Sequence, residues 1–258
     1  MTDPYTKTRN ALFGTLFQHI QFVPMTESTN DDATKFLGHA QAAGLTIATN
    51  FQTKGVGRKG RPWVAPMASS LLFSTILPVT FEPADLWTVP FWVGMCVQAA
   101  LKFHNIQTTL QWPNDILLKG QKVGGILCVS RGQGARAWVA AGVGINVARS
   151  ADPSYKQIDP PPAFISDVSE VDRPELLSAI LQTYDSMLTL VEKPNLVARR
   201  WEDAANLKGT HYRVLVDGER EPIDGIAQRI GHHGELVLHV DGHERPITMA
   251  DARVIRQA

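Results

Sequence analysis

Apolar and polar positions change rhythm several times along the chain, and each change marks an element. After a short apolar segment around Phe22, "TESTNDDATKFLGHAQAAG" (Thr26 to Gly44) places Ala33, Phe36, Leu37 and Ala40 along one helical face. Ser28, Thr29 or Asn30 would cap that helix, Asp31 and Asp32 fall in its first turn, and Gly44 lies just past its end. "LTIATNFQ" and "SLLFSTILPV" read as strands on either side of a glycine-rich loop. "LWTVPFWVGMCVQAALKFH" is apolar almost all round, which predicts a buried helix despite Pro90 near its start.

"TTLQW" and "DILLK" are short strands separated by a Pro-Asn turn. "KVGGILCVSRG" and "RAWVAAGVGINVA" predict adjacent strands of one sheet, joined through Gly-Gln-Gly. Residues 149–172 are rich in Pro, Asp and Ser and read as a surface loop. "RPELLSAILQTYDSMLTLVE" reads as an amphipathic helix with Pro174 in its first turn. From Lys208 the texture becomes short β-like runs punctuated by glycine. These closing runs are the signature of a small β-barrel.

Composition narrows the partners. Twenty-five basic residues balance twenty-five acidic ones, so no nucleic-acid role is expected and any basic patch must be local. The first ten residues lack the apolar core of a signal peptide, and no apolar run is read as membrane-spanning, so the cytoplasm is the expected compartment. Cys96 and Cys128 sit in apolar runs, as packed thiols do, and two such isolated cysteines make no metal site.

Three stretches carry chemistry. "QTKGVGRKGRPW" holds Gly55, Gly57 and Gly60 among Lys54, Arg58, Lys59 and Arg61. Glycines permit close backbone approach, so successive N–H groups can face an anion while guanidinium forks add charge. A solvated basic turn has the same composition. In "QWPNDILLKGQKVGGIL", Asn114 and Asp115 form either a β-turn or a polar site. Lys122 is placed to reach back across the hairpin toward Asp115. In "GVGINV", Gly142 and Gly144 suggest a bulge or a ligand against bare backbone, and Asn146 offers an amide suited to a base edge.

Taken in succession, "ESTND", "QTKGVGRKGRPW", "WPNDILL", "KVGGIL" and "GVGIN" resemble the catalytic domain of the biotin protein ligases. These belong to one fold superfamily with lipoate ligases and octanoyl transferases. The resemblance runs from about Phe22 to the chain's end and implies an α+β fold: a catalytic domain over residues 1–206 built on a mixed β-sheet flanked by helices, and a small SH3-like β-barrel over 207–258. It implies ATP-dependent formation of biotinyl-5′-AMP and transfer of the biotinyl group to a lysine of a biotin carboxyl carrier domain. Mg²⁺ would accompany ATP, and a homodimer would be in keeping with relatives.

By that resemblance Ser28, Thr29, Gln52, Gly55, Gly57, Gly124 and Gly125 would hold biotin. Arg58, Arg61, Trp63, Asn114, Lys122 and Asn146 would hold the nucleotide. Lys122, Arg58 and Asp115 would be catalytic. Two positions depart from the family pattern: Val56 replaces an Arg, and Gln111 replaces a Lys. Lys54 is a candidate for replacement charge, and Arg253 or Arg256 stands near the place of a C-terminal ATP-contacting Arg. The departures leave open a lipoate or octanoate ligase or transferase, or a non-catalytic binder of biotin or nucleotide. The Arg-Arg, triple-glycine and His-Asp pattern usual in lipoate ligases is absent.

Overall fold

The computed structural model describes residues 3–152, 155, 158–250 and 252–255. In chain order these form helix α1 (Thr6–Ala11), strand β1 (Ile20–Val23), α2 (Thr29–Thr34), β2 (Thr46–Thr49), β3 (Ser70–Ile76), α3 (Thr88–Phe103), β4 (Thr109–Gln111) and β5 (Asp115–Leu118). The long hairpin β6 (Gln121–Gln133) and β7 (Arg136–Asn146) follows, then α4 (Arg173–Met187) and α5 (Pro194–Ala205). The chain ends with β8 (His211–Val216), β9 (Ile223–Ile230), β10 (Leu236–Val240), β11 (His243–Ile247) and β12 (Ala252–Ile255).

The first seven strands form one mixed sheet in the order β1-β2-β3-β7-β6-β5-β4, parallel only between β1 and β2. β3 is buried along its whole length because both faces of the sheet are covered there. On one face α3 packs against α4 and α5, with Phe91 stacked on Trp201 at 4.6 Å and Trp92 against Tyr184 at 4.8 Å. The other face carries α2, which closes a smaller cluster through Ala33, Leu37, Ile47 and Ala140.

The all-round apolar pattern of the predicted buried helix is α3. The helical segment Pro83–Phe103, 21 residues with mean hydropathy 1.2, does reach membrane-crossing length, contrary to the sequence expectation. Most of it is buried among the protein's own helices and sheet. The helix expected from Thr26 to Gly44 is a single short piece, α2. Ser28 caps it by accepting from the Asp31 N–H, but Gly38 turns to φ 97 and leaves the helical path, and Ala40 is exposed. Gly44 (φ 78) instead passes under Leu16, where a Cβ would lie 1.8 Å from the carbonyl oxygen. The supposed surface loop after residue 149 buries Tyr155, Ala163, Phe164 and Ile165. Helices α1 and α5 went unread. α5 starts on Pro194, buries Val197, Trp201 and Ala205 on one face, and stops at left-handed Asn206.

The C-terminal strands form an antiparallel sheet in the order β11-β10-β9-β8-β12. Among the described residues no pairing joins β11 to β12, so the sheet is open where a barrel was expected. β11 turns His243, Glu244 and Arg245 to solvent, and Pro246 has no N–H to offer a further strand. The core does not break at residue 207: Leu207, Tyr212, Val214 and Leu238 belong to the same apolar cluster as Phe91 and Trp112.

Candidate functional site

A cavity of about 440 Å³ lies over β6 and β7, between the start of α2 and the C-terminal sheet. Its polar end is built by α2. The helix start presents Ser28, Thr29 and Asn30, all buried. The Thr29 N–H donates to Gln52 Oε1 at 2.8 Å, with Thr29 Oγ1 3.0 Å from the same oxygen. Asn30 Nδ2 donates to the Leu127 carbonyl at 2.9 Å, which fixes the amide across the strand.

Gly142 and Gly144 are bare for a reason other than the expected bulge. β7 runs in unbroken register with β3 and β6. A Cβ on Gly142 would stand 2.3 Å from Asn30 Oδ1, and one on Gly144 would stand 2.7 Å from the Trp63 ring. The protein's own side chains lie against these two positions. Trp63 therefore packs against the strand at the cavity wall.

Opposite, Asp115 begins β5 and Asn114 lies in the turn just before it. Asn114 Nδ2 and carbonyl both bond to Ile126, through its carbonyl (2.7 Å) and N–H (3.0 Å), so this turn is locked to β6. The ladder between β5 and β6 then slips. Ile116 pairs with Gly124 but Leu117 pairs with Lys122, leaving buried Val123 as the extra residue. A bulge of this kind re-aims the neighbouring side chain. Lys122 Nζ accordingly reaches back to Asp115 Oδ1 at 2.5 Å, and lies 5.7 Å from the centre of the Trp63 ring. Gly125, opposite Asp115, leaves space for both: a Cβ there would lie 3.2 Å from Lys122 Nζ and 3.3 Å from Trp63.

The basic loop closes over this constellation as a small hairpin. The Gly57 N–H donates to the Arg61 carbonyl at 2.7 Å, the Trp63 N–H donates to Gly55 at 2.8 Å, and Lys59 takes a left-handed φ of 56 at the tip. Two of its charges dock on the C-terminal sheet region: Arg58 donates to the Met249 carbonyl, and Lys59 Nζ lies 2.7 Å from both Asp217 oxygens. Burial, and then the neighbouring Arg61, push the Arg58 pKa down from its ordinary value, while Asp115 opposes them. Arg253 on β12 also lines the cavity, whereas Arg256 lies outside the described residues.

Thus Ser28, Thr29, Gln52, Gly57, Arg58, Arg61, Trp63, Asn114, Asp115, Lys122, Gly125 and Asn146, far apart in sequence, line one cavity. Gly55 and Gly124 do not. A Cβ on Gly55 would meet Gln52 Nε2 at 2.9 Å, and one on Gly124 would meet the Gly144 carbonyl oxygen at 3.1 Å, so both serve packing behind the wall. Val56 lies at the cavity and is 45 % exposed. Gln111 is half-buried on β4 opposite Asp115, and Lys54 is paired with Glu27 at 2.8 Å away from the lining.

Sequence reasoning missed one wall. Ile158, Asp159, Pro160 and Pro162 line the cavity from the supposed surface loop. That loop is tied down by Tyr155 Oη to Ser69 Oγ (2.9 Å) and by the Ala163 N–H to the Lys122 carbonyl (2.9 Å). Its only sequence signal was apolar Tyr155, Phe164 and Ile165 within a polar stretch. The lining offers hydroxyls and amides from the start of α2 and Gln52, a lysine–aspartate pair, and three arginines, Arg58, Arg61 and Arg253.

Residues 22–146 match the Biotin/lipoate A/B protein ligase family. The biotin–[acetyl-CoA-carboxylase] ligase of Mycobacterium tuberculosis H37Rv is 27 % identical across 94 % of this chain and 91 % of its own length. The bifunctional ligase/repressor BirA of Escherichia coli K12 is 28 % identical across 88 % of this chain and 71 % of its own. The same fold occurs in the biotin protein ligase from Aquifex aeolicus in complex with biotin and ATP. That match has a TM-score of 0.75 at 22 % identity, covering 93 % of this chain and 100 % of that one.

Proposed function

This chain belongs to the biotin/lipoate A/B protein ligase family, and from that premise we propose that it activates biotin with ATP and passes the biotinyl group to a lysine of a carrier protein. The observation that carries the reading is Lys122, which lines the same cavity as the polar end and the arginines and is held 2.5 Å from Asp115.

Adenylation brings two anions together. A carboxylate oxygen of biotin attacks the α-phosphorus of ATP, the new C(O)O–P bond forms, and the bond to the leaving pyrophosphate breaks. An ammonium between carboxylate and α-phosphate stabilises charge that grows as the bond forms. Lys122 has that position, with Asp115 and Trp63 fixing its direction. Ser28, Thr29 and Gln52 hold the head group, Trp63 and Asn146 hold the adenine, and Arg58, Arg61 and Arg253 take the phosphates. The loop from Gly55 to Arg61 shields the mixed anhydride from water. In the second step a neutral lysine amine attacks the acyl carbon and AMP leaves, with Asp115 positioned to take the amine's proton.

A Mg²⁺ ion accompanying ATP would draw its ligands chiefly from phosphate oxygens and water, as a small, reluctantly dehydrated cation does. Asp115 and Asp159 are the carboxylates at hand. The open C-terminal sheet is the counterpart of the SH3-like barrel that the family resemblance implies, and residues 1–206 and 207–258 are the two functional units.

The test is pyrophosphate release by the purified protein with MgATP and either biotin or lipoate. Release with biotin that falls about tenfold to a hundredfold in Lys122→Ala supports the reading, that range following from one charge-assisted contact. Release with lipoate alone sinks it.

A further inference from the structure

The basic hairpin over the cavity is fastened at both its root and its tip. At the root the Trp63 N–H donates to the Gly55 carbonyl at 2.8 Å, and Trp63 packs against Gly144 of β7. At the tip Arg58 donates to the Met249 carbonyl, and Lys59 Nζ lies 2.7 Å from both Asp217 oxygens. Both tip contacts fall beside the start of β12. Met249 lies three residues before Ala252, and Asp217 directly follows Val216, the partner of Ala252. β12 in turn brings Arg253 to the cavity, which Lys59, Asp217 and Met249 do not line.

The tip is also where the backbone leaves its ordinary range: Lys59 has φ 56 and Gly60 φ 68. A lysine stays left-handed where its surroundings hold it there, and the two-pronged pair with Asp217 does so. Charge argues the same way. Arg58, Lys59 and Arg61 crowd one short hairpin over a cavity that already holds Arg253. Such a flap needs an anion to stay down. Inside the cavity Asp115 is taken up by Lys122, whereas Asp217 meets the flap from outside.

We propose that Asp217 is a positioning residue that latches the hairpin shut through Lys59, so that the C-terminal sheet sets how long an acyl-adenylate stays enclosed. The inference rests on the proposed function and adds to it the part of the molecule that governs the lid. Lys59 is 30 % exposed and Asp217 67 %, so water competes for the pair. A pair this open contributes a factor of about two to five, enough to bias a lid and too little to lock it against entering ligands.

The experiment has two arms, both on the full chain. Trypsin without ligand reports how often the tip lifts, as cleavage after Arg58 or Lys59 read by intact mass. Biotinyl-adenylate formed on the protein from biotin and MgATP, then freed of excess ligand by gel filtration, reports enclosure through its half-time on the protein. Asp217→Asn should be cut about two- to fivefold faster and lose its adenylate sooner by the same factor, with the rate of adenylate formation unchanged. Asp217→Lys should lose it faster still, and the reversed pair Lys59→Glu/Asp217→Lys should return to within about twofold of wild type. A wild-type value in either arm for Asp217→Asn, or a reversed pair no better than Asp217→Lys alone, overturns the latch and leaves the functional reading standing. Wild-type protein that forms no biotinyl-adenylate overturns the functional reading, and the cleavage rates then decide the latch by themselves.

Discussion

Lys122 is where sequence and geometry meet most closely. Its separation from Asp115 by seven residues suggested a reach across a hairpin, and the slip of one residue at Val123 is what turns the ammonium onto the carboxylate. The slip itself was not legible, because a bulge leaves no mark in an apolar run such as "KVGGIL". Gly144 was legible as a bare position but not for its cause, since only the fold brings Trp63 onto it. Gly144→Ala should therefore displace the indole, raising KM for ATP about tenfold while biotin affinity holds, an effect comparable to losing one stacking contact. Titrating each ligand against Trp fluorescence checks this, and equal weakening of both would contradict it. Val56 invites the opposite change. An arginine there adds a fourth guanidinium to the cavity, and Val56→Arg should lower KM for the anionic substrates up to about tenfold.

At the scale of elements, what could be read was whatever repeats locally: the strands around the glycine loop, the all-round apolar α3, the Pro174-led α4. What failed depended on distant contacts. The helix expected across Thr26–Gly44 stops at Thr34. The chain tightens into three-residue turns through Leu37 before Gly38 turns left-handed. The periodicity of Phe36 and Leu37, which pack on the sheet with Ile47 and Ala140, conceals that. The wall after residue 149 looked polar because its few apolar residues lack any period, yet Phe164 packs edge-on to Tyr155 and under Arg149, which clasps Asp167. α4 offers a clean local check. The Glu175 N–H donates to the Asp172 side chain at 2.8 Å, so Asp172→Ala should cost about 1 kcal/mol. The urea midpoint should fall with an unchanged slope and with activity per folded molecule intact.

For the molecule as a whole, the C-terminal sheet is part of the site rather than an appendage. Trp112, fully buried beside Pro113, donates its indole N–H to the Gly234 carbonyl at 3.0 Å, tying the turn that bears Asn114 and Asp115 to the turn between β9 and β10. Trp112→Phe leaves that carbonyl unpaired and should destabilise by about 1–3 kcal/mol, in one cooperative transition for both units. Two separate transitions would show that the shared core does not couple them. Alkali should also unfold the protein. Burial raises Tyr5 and Tyr212 from 10.0 to about 12, so these phenols stay protonated in the fold while the unfolded chain loses protons. Stability is full below pH 10 and drains away between pH 10 and 12, which urea midpoints taken across that window would follow.

All of this converges on one claim, that the cavity forms a biotinyl-adenylate and delivers it to a lysine. The direct measurement is the intact mass of a purified biotin carrier domain after incubation with this protein, MgATP and biotin. The account predicts the addition of one biotinyl group, abolished when the carrier's acceptor lysine is replaced and strongly slowed in Lys122→Ala. Tight biotin binding with an unmodified carrier and no pyrophosphate released would contradict it, and would leave the cavity as a binding site alone.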